Sequence, residues 1–182
     1  MRVFIAIELP NKIRQALGEI QRELRPLTNS ARWVALDSIH ITLKFVGEIP
    51  EKRIEEIGTA LTGLTWKRFT VTVRGVGFFP GTRSPRVFWA GLAAPTMKEL
   101  AEQIDIRMER LGFDKEKRAF RPHITLARAR DNRIDSSLVL GAADYEEHDF
   151  GSFAVDSIFL FKSTLKPSGA VYEKLKEYGL YG

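Results

Sequence analysis

The 182 residues contain no cysteine, which excludes disulfides, thiolate nucleophiles and cysteine-based zinc sites. No apolar run approaches the length of a membrane span, so none is expected to cross a bilayer. The opening stretch Met1–Glu8 is too short for a secretory h-region and lacks a small-residue cleavage pattern; it reads as a first strand, and a cytoplasmic protein is expected. A G-x-S-x-G elbow is missing, as is a G-x-x-x-x-G-K-[ST] loop, so nothing predicts an α/β-hydrolase or ATP consumption. Acidic residues are outnumbered, leaving a net charge of +5. That balance suits a polyanionic partner such as RNA, but alone it speaks only to non-specific association and would equally suit a basic solvated surface. Length and apolar content are those of a soluble globular protein with a proper core.

Histidine is also scarce, with three in the chain, and two of them open identical tetrapeptides. His40-Ile41-Thr42-Leu43 returns as His123-Ile124-Thr125-Leu126. Alternating apolar residues with β-branched neighbours predict a strand in each case. Successive strand side chains point to opposite faces, so each copy puts its histidine and threonine on one surface and its isoleucine and leucine behind. One such pattern is weak evidence; two copies at matching places are a paired site.

The rest of the chain repeats as well. A strand over residues 2–9 ends at Pro10, and Ile13, Leu17, Ile20 and Leu24 mark an amphipathic helix that closes at Pro26. After the first tetrapeptide strand, which runs to Gly47, Pro50 opens a helix bearing Ile54, Ile57, Leu61 and Leu64. A strand over Phe69–Val73 follows, with Gly75, Gly77 and Pro80-Gly81 ending the regular pattern. The order then restarts: a strand over Val87–Leu92, a helix predicted to start in a Thr96/Glu99 capping box and to stop at Gly112, and the second tetrapeptide. A weaker helix covers 134–142, and one strand is expected from Phe153 to Phe161. Val3 to Val87 and Phe69 to Phe153 are 84 positions, and His40 to His123 is 83. The expectation is an α+β fold: one domain over 1–182, made of two pseudo-repeat lobes of about 1–84 and 85–182. Two antiparallel sheets are related by a pseudo-twofold axis around a central cleft, with helices outside.

Such an axis puts equivalent groups on opposite sides of whatever lies on it. In-line displacement at phosphorus needs that arrangement, because one group removes a proton from the attacking oxygen while another protonates the departing one. Histidine suits either task, its ordinary pKa lying near neutrality. Thr42 and Thr125 can donate to non-bridging phosphate oxygens. No Asp/His/Glu cluster has metal-ligand spacing, and two histidines alone make a poor zinc site, so a metal-free, cofactor-free reaction is expected. A Ser/His/Asp mechanism would leave one histidine idle. Arg128 can grip a phosphate or stack on a base. Phe45 and Trp33 can stack a base, although strand aromatics usually belong to the core. Lys115, Lys117, Arg118 and Arg121 form a basic rim or a solvated loop. His148 lacks a threonine partner and is expected to be dispensable.

The paired motifs resemble the His-x-Thr/Ser signatures of the 2H phosphoesterase superfamily. Within it the chain is similar to the 2′-5′ RNA ligase, or RNA 2′,3′-cyclic phosphodiesterase, group. The likeness extends over Phe4-Ile5-Ala6-Ile7, Arg32-Trp33-Val34, Lys44-Phe45-Val46-Gly47, Arg121–Arg128, and Leu160-Phe161-Lys162-Ser163 with Tyr172-Glu173. It implies hydrolysis of RNA 2′,3′-cyclic phosphate ends (tRNA fragments or nucleotides among the substrates) to 2′-phosphomonoesters, and a reversible, ATP-independent joining through a 2′-5′ bond. It also implies His40 as general acid, His123 as general base, and Thr42, Thr125 and Arg128 as phosphate ligands. The residues support the pair without assigning its direction. A monomer is expected. Two other readings stand beside this one: an RNA-end binding module without turnover, and ligation as the main role.

Overall fold

In the computed structural model, which describes residues 1–166 and 169–181, the chain forms an α+β fold with two antiparallel sheets. The elements in order are β1 (Arg2–Glu8), α1 (Asn11–Leu24), β2 (Ala31–Trp33), β3 (His40–Glu48), α2 (Ile54–Thr62), β4 (Phe69–Phe79) and β5 (Val87–Ala93). They continue with α3 (Met97–Arg110), β6 (His123–Ala129), α4 (Ser136–Ala142), β7 (Asp149–Val155), β8 (Ser157–Lys166) and β9 (Gly169–Gly179). None of the described helices is long and apolar enough to cross a membrane.

The two long helices repeat their buried faces at a constant offset. Ile13, Leu17, Ile20 and Leu24 are buried in α1, and Met97, Ala101, Ile104 and Met108, each 84 positions on, in α3. Three- and four-residue steps place such residues on one stripe, which each helix presses into the core. Gly112 ends the second helix at φ +83, its N–H donating to the Glu109 carbonyl, as its position after the last apolar residue predicts. The expected capping box does not form. Thr96 has helical φ and ψ and its side chain caps nothing; its carbonyl accepts the N–H of Leu100, so it already lies within the turn.

The sheet orders are β3-β1-β8-β9 and β2-β6-β5-β4-β7. Read from the histidine strands inward, β3-β1-β8 corresponds to β6-β5-β4. The expected division near residue 84 does not follow the sheets, however. β2 and β4 precede that point yet join the second sheet, while β8 and β9 follow it and join the first. The short connection across residues 80–86 makes β4 and β5 a hairpin, and adjacent antiparallel strands pair preferentially. Phe69 and Phe153 are therefore on neighbouring strands, with Val71 opposite Phe153, and not on equivalent ones. Nor is Phe153–Phe161 one strand: at Asp156 the chain leaves β7 in one sheet and starts β8 in the other. Helices cross over too: α1, with α4 against it, packs on β7, while α2 packs on β9 and α3 on β3.

Gly75 and Gly77, expected to end a strand, lie inside β4. Gly75 adopts φ +71 at a register shift, and a Cβ there would overlap the Glu146 carbonyl. The Trp89 indole lies against Gly77 where any side chain would stand. Glycine within a strand marks such bulges and close approaches.

Each long helix also braces the histidine strand that belongs to the other half of the chain. In α3, Asp105 pairs with Lys44 of β3 at 2.6 Å, the side chains being 14% and 4% exposed. In α1, Gln21, 84 positions earlier, donates to the carbonyls of Leu126 in β6 (3.1 Å) and Val34 (2.9 Å). Lys44 also donates to the Asp114 carbonyl, and Asp105 accepts the N–H of Glu116, so one ion pair anchors the loop leading to His123. Asp105→Ala, which strands a buried ammonium, is expected to lower the unfolding free energy by about 3 kcal/mol in urea denaturation. The double replacement Lys44→Met with Asp105→Leu is expected to restore most of that loss; a single-mutant loss within error of zero would show that the pair carries no such strain.

Candidate active site

In both tetrapeptides the leucine is an extra, unpaired residue. Thr42 faces Ala6 and Lys44 faces Ile5, leaving Leu43 between them; Thr125 faces Trp89 and Ala127 faces Phe88, leaving Leu126. These two bulges lie 83 positions apart. A bulge reverses the alternation of faces downstream of it. Leu43 and Lys44 are therefore both buried, as are Leu126 and Ala127, and the next residues, Phe45 and Arg128, turn outward on the side of the histidine and threonine. Phe45 is 61% exposed, which answers the question left open for a strand aromatic. Trp33 takes the other course: it meets the core and sets its ring edge-on to Phe88.

The histidines are held in the same way. His40 Nδ1 lies 2.8 Å from the Ser38 carbonyl and His123 Nδ1 lies 2.7 Å from the Arg121 carbonyl. A carbonyl only accepts, so each Nδ1 carries the proton and each Nε2 is left to exchange one. Around His40, Phe4 lies 4.7 Å away between ring centroids and Tyr172 meets it edge-on at 5.0 Å. Phe79 meets His123 edge-on at 5.0 Å. Burial pushes His40 down to about 4, the Ser38 contact opposing it and the Arg128 and Arg14 guanidiniums adding to it. His123 is lowered for the same reasons, burial first and Arg128 with it, against its bond to the Arg121 carbonyl. Burial also raises the Tyr172 phenol, which stays protonated.

One cavity of about 380 Å³ is lined by His40, Thr42, Phe45, His123, Thr125 and Arg128 together. All six residues singled out as catalytic or substrate-binding thus share a wall. Phe4, Ser163 and Tyr172 also line it, and the sequence assigned them no role. Their signal lay in the family likeness, since all three stand in the stretches that carry it. Arg118 and Arg121 line a second, adjoining cavity. Lys115 pairs with Glu109, and neither it nor Lys117 lines either of these two cavities. His148 lies outside both, against Tyr145 and Phe150.

The family model for LigT like phosphoesterases matches residues 7–89 and 92–172. The chain belongs to the LigT-like phosphoesterase family. This phosphoesterase is 33% identical over 178 residues to the RNA 2′,3′-cyclic phosphodiesterase of Methanocaldococcus jannaschii, covering 98% of this chain and 100% of that one. It is likewise 33% identical over 180 residues to the protein of that name from Thermotoga maritima, covering 97% and 94%. Among solved structures, TT0787 of Thermus thermophilus superposes with a TM-score of 0.83 at 32% identity, over 100% and 99% of the two chains. E. coli LigT complexed with 3′-AMP superposes at 0.80 and 28% identity, over 98% and 97%.

Because the Arg128 charge lowers both imidazoles, Arg128→Gln is expected to raise both titration midpoints, followed by NMR of the ring protons with His148 as internal control. Midpoints that stay put in that variant would show that the guanidinium does not face the pair.

Proposed function

We propose that this phosphoesterase hydrolyses RNA 2′,3′-cyclic phosphate ends to 2′-phosphomonoesters by proton transfer between two imidazoles, with no metal in the chemistry. The observation that carries the proposal is that two histidines, each with Nδ1 tied to a carbonyl two residues back, line one cavity with two threonines and an arginine. The name borne by the relatives from M. jannaschii and T. maritima supports the substrate class.

With the phosphorus between the rings, neutral His123 takes a proton through Nε2 from a water as its oxygen attacks. The P–O3′ bond breaks on the opposite side, and His40 delivers its Nε2 proton to the departing 3′ oxygen. Thr42 and Thr125 donate to the non-bridging oxygens, and Arg128 balances the charge that builds there. His40 suits the donor's part because its desolvated ring gives up a proton readily. It must first gain one, and the anionic phosphate supplies the field that favours the imidazolium. Phe45 offers an exposed ring for a base to stack on. A 5′-hydroxyl in place of water would form a 2′-5′ phosphodiester through the same groups, without ATP.

His40→Ala and His123→Ala are each expected to reduce turnover of a 2′,3′-cyclic nucleotide by about 10²- to 10⁴-fold. His148→Ala should leave the rate as it was, and so should EDTA. Retention of the wild-type rate in either of the first two variants defeats the mechanism, and binding of the nucleotide with no monoester formed would make the chain an end-binding module instead. Since burial lowers both imidazoles in the free site, kcat/KM is expected to peak below pH 6.5, with kcat peaking at a higher pH once the phosphate is bound.

A further inference from the structure

The histidine cavity is not closed on all sides. Thr42, Phe45, His123 and Arg128 also form walls of a second and larger cavity of about 890 Å³. Away from that shared boundary its walls carry Arg86, Arg118 and Arg121, with the rings of Phe79 and Phe120 between them. Arg121 lies over the Phe79 ring, 5.9 Å from its centre. None of these three arginines, nor Arg128, forms an ion pair among the described residues, and the acidic side chain on the wall is Glu116. Unpaired guanidiniums beside half-buried aromatic rings make a surface that suits single-stranded nucleic acid, with charge for the backbone and ring edges for the bases.

We infer that the second cavity is a subsite for the nucleotide preceding the cyclic end of an RNA strand, with Arg86 and Arg118 facing its phosphodiester. This rests on the function proposed above and goes further, because a mononucleotide would satisfy the histidine cavity alone. A strand whose last phosphate sits between the imidazoles must leave that cavity on the 5′ side of its terminal ribose. The opening bounded by Arg128 and Phe45 leads into the basic cavity. The enzyme is thereby assigned to oligoribonucleotide ends in preference to free cyclic nucleotides.

The test compares a dinucleotide ending in a 2′,3′-cyclic phosphate with the 2′,3′-cyclic mononucleotide of the same terminal base, for the wild type and for Arg86→Gln with Arg118→Gln. Wild-type kcat/KM is expected to favour the dinucleotide by roughly tenfold or more, and the variant to bring that ratio close to one. Taken on one preparation, the ratio is unaffected by any misfolded fraction. Calorimetric binding of the linear dinucleotide and mononucleotide 3′-phosphates gives the same comparison without turnover. There the wild-type affinity for the dinucleotide should fall more steeply with salt, by about 0.7 in the logarithmic slope for the added phosphate. Equal wild-type constants for the two lengths, or a preference that survives both substitutions, would overturn the subsite. Absence of turnover with both substrates refutes the hydrolytic function instead, and the binding comparison then decides the subsite by itself.

Discussion

Two strands in different sheets can line one cavity only if something fixes the angle between the sheets, and here the crossed bracing by the long helices does so. Asp105 on α3 holds β3 through Lys44, and Gln21 on α1 holds β6 through the carbonyl of the bulge residue Leu126. Each helix stabilises the histidine strand from the opposite half of the chain. Neither half can then shift without disturbing a buried polar contact, and buried polar contacts are costly to leave unmade. The Lys44 ammonium has a further consequence, since its second bond, to the Asp114 carbonyl, holds the loop that delivers His123. The first motif thus helps to place the second.

Within that frame duplication supplies likeness, and divergence supplies direction. Both tetrapeptides bulge at leucine, and both imidazoles donate through Nδ1 to the carbonyl two residues back. The residue that each bulge turns outward is where the halves part: Phe45 in one and Arg128 in the other. Around His40 stand Phe4, Phe161 and Tyr172, an aromatic surround that withholds water from the ring. Different surroundings for two identical groups are how one site obtains an acid and a base. The charge of Arg128 acts on both rings and the deeper burial of His40 on one.

Much of this was legible because it is local. The histidine and threonine faces follow from strand alternation, and the buried stripes of α1 and α3 follow from helical periodicity at an 84-residue offset. What escaped the sequence is non-local or depends on a single backbone irregularity. Nothing near Phe69 says that β4 will form a hairpin with β5 instead of pairing within its own half, for the decision lies in the short connection and in faces presented by distant strands. Asp156 carries no mark of a switch between sheets. Phe45 looks like a core residue until the Leu43 bulge reverses the parity, and Lys44 looks solvent-facing for the same reason. Thr96 and Glu99 have the spacing of a capping box, but the helical turn starts one residue early and engages the threonine backbone.

The lowered imidazoles bear on what the site will accept. A half-buried pair that is neutral when empty binds a neutral ligand with no change of charge, and such a ligand leaves it without an acid. An anion brings its own field into the cavity, raises the rings beside it and draws a proton from solvent as it binds. Linkage requires the reverse as well: conditions that favour the imidazolium favour the phosphate by the same free energy. On the mechanism proposed above, the desolvation that depresses His40 makes its protonation conditional on the substrate's charge. In the same proposal Thr42, Thr125 and Arg128, which line the cavity, narrow the choice to an anion with oxygens to receive them. On that mechanism, catalytic competence is assembled by the phosphate itself, on rings that the two halves of the chain hold in one cavity but leave uncharged.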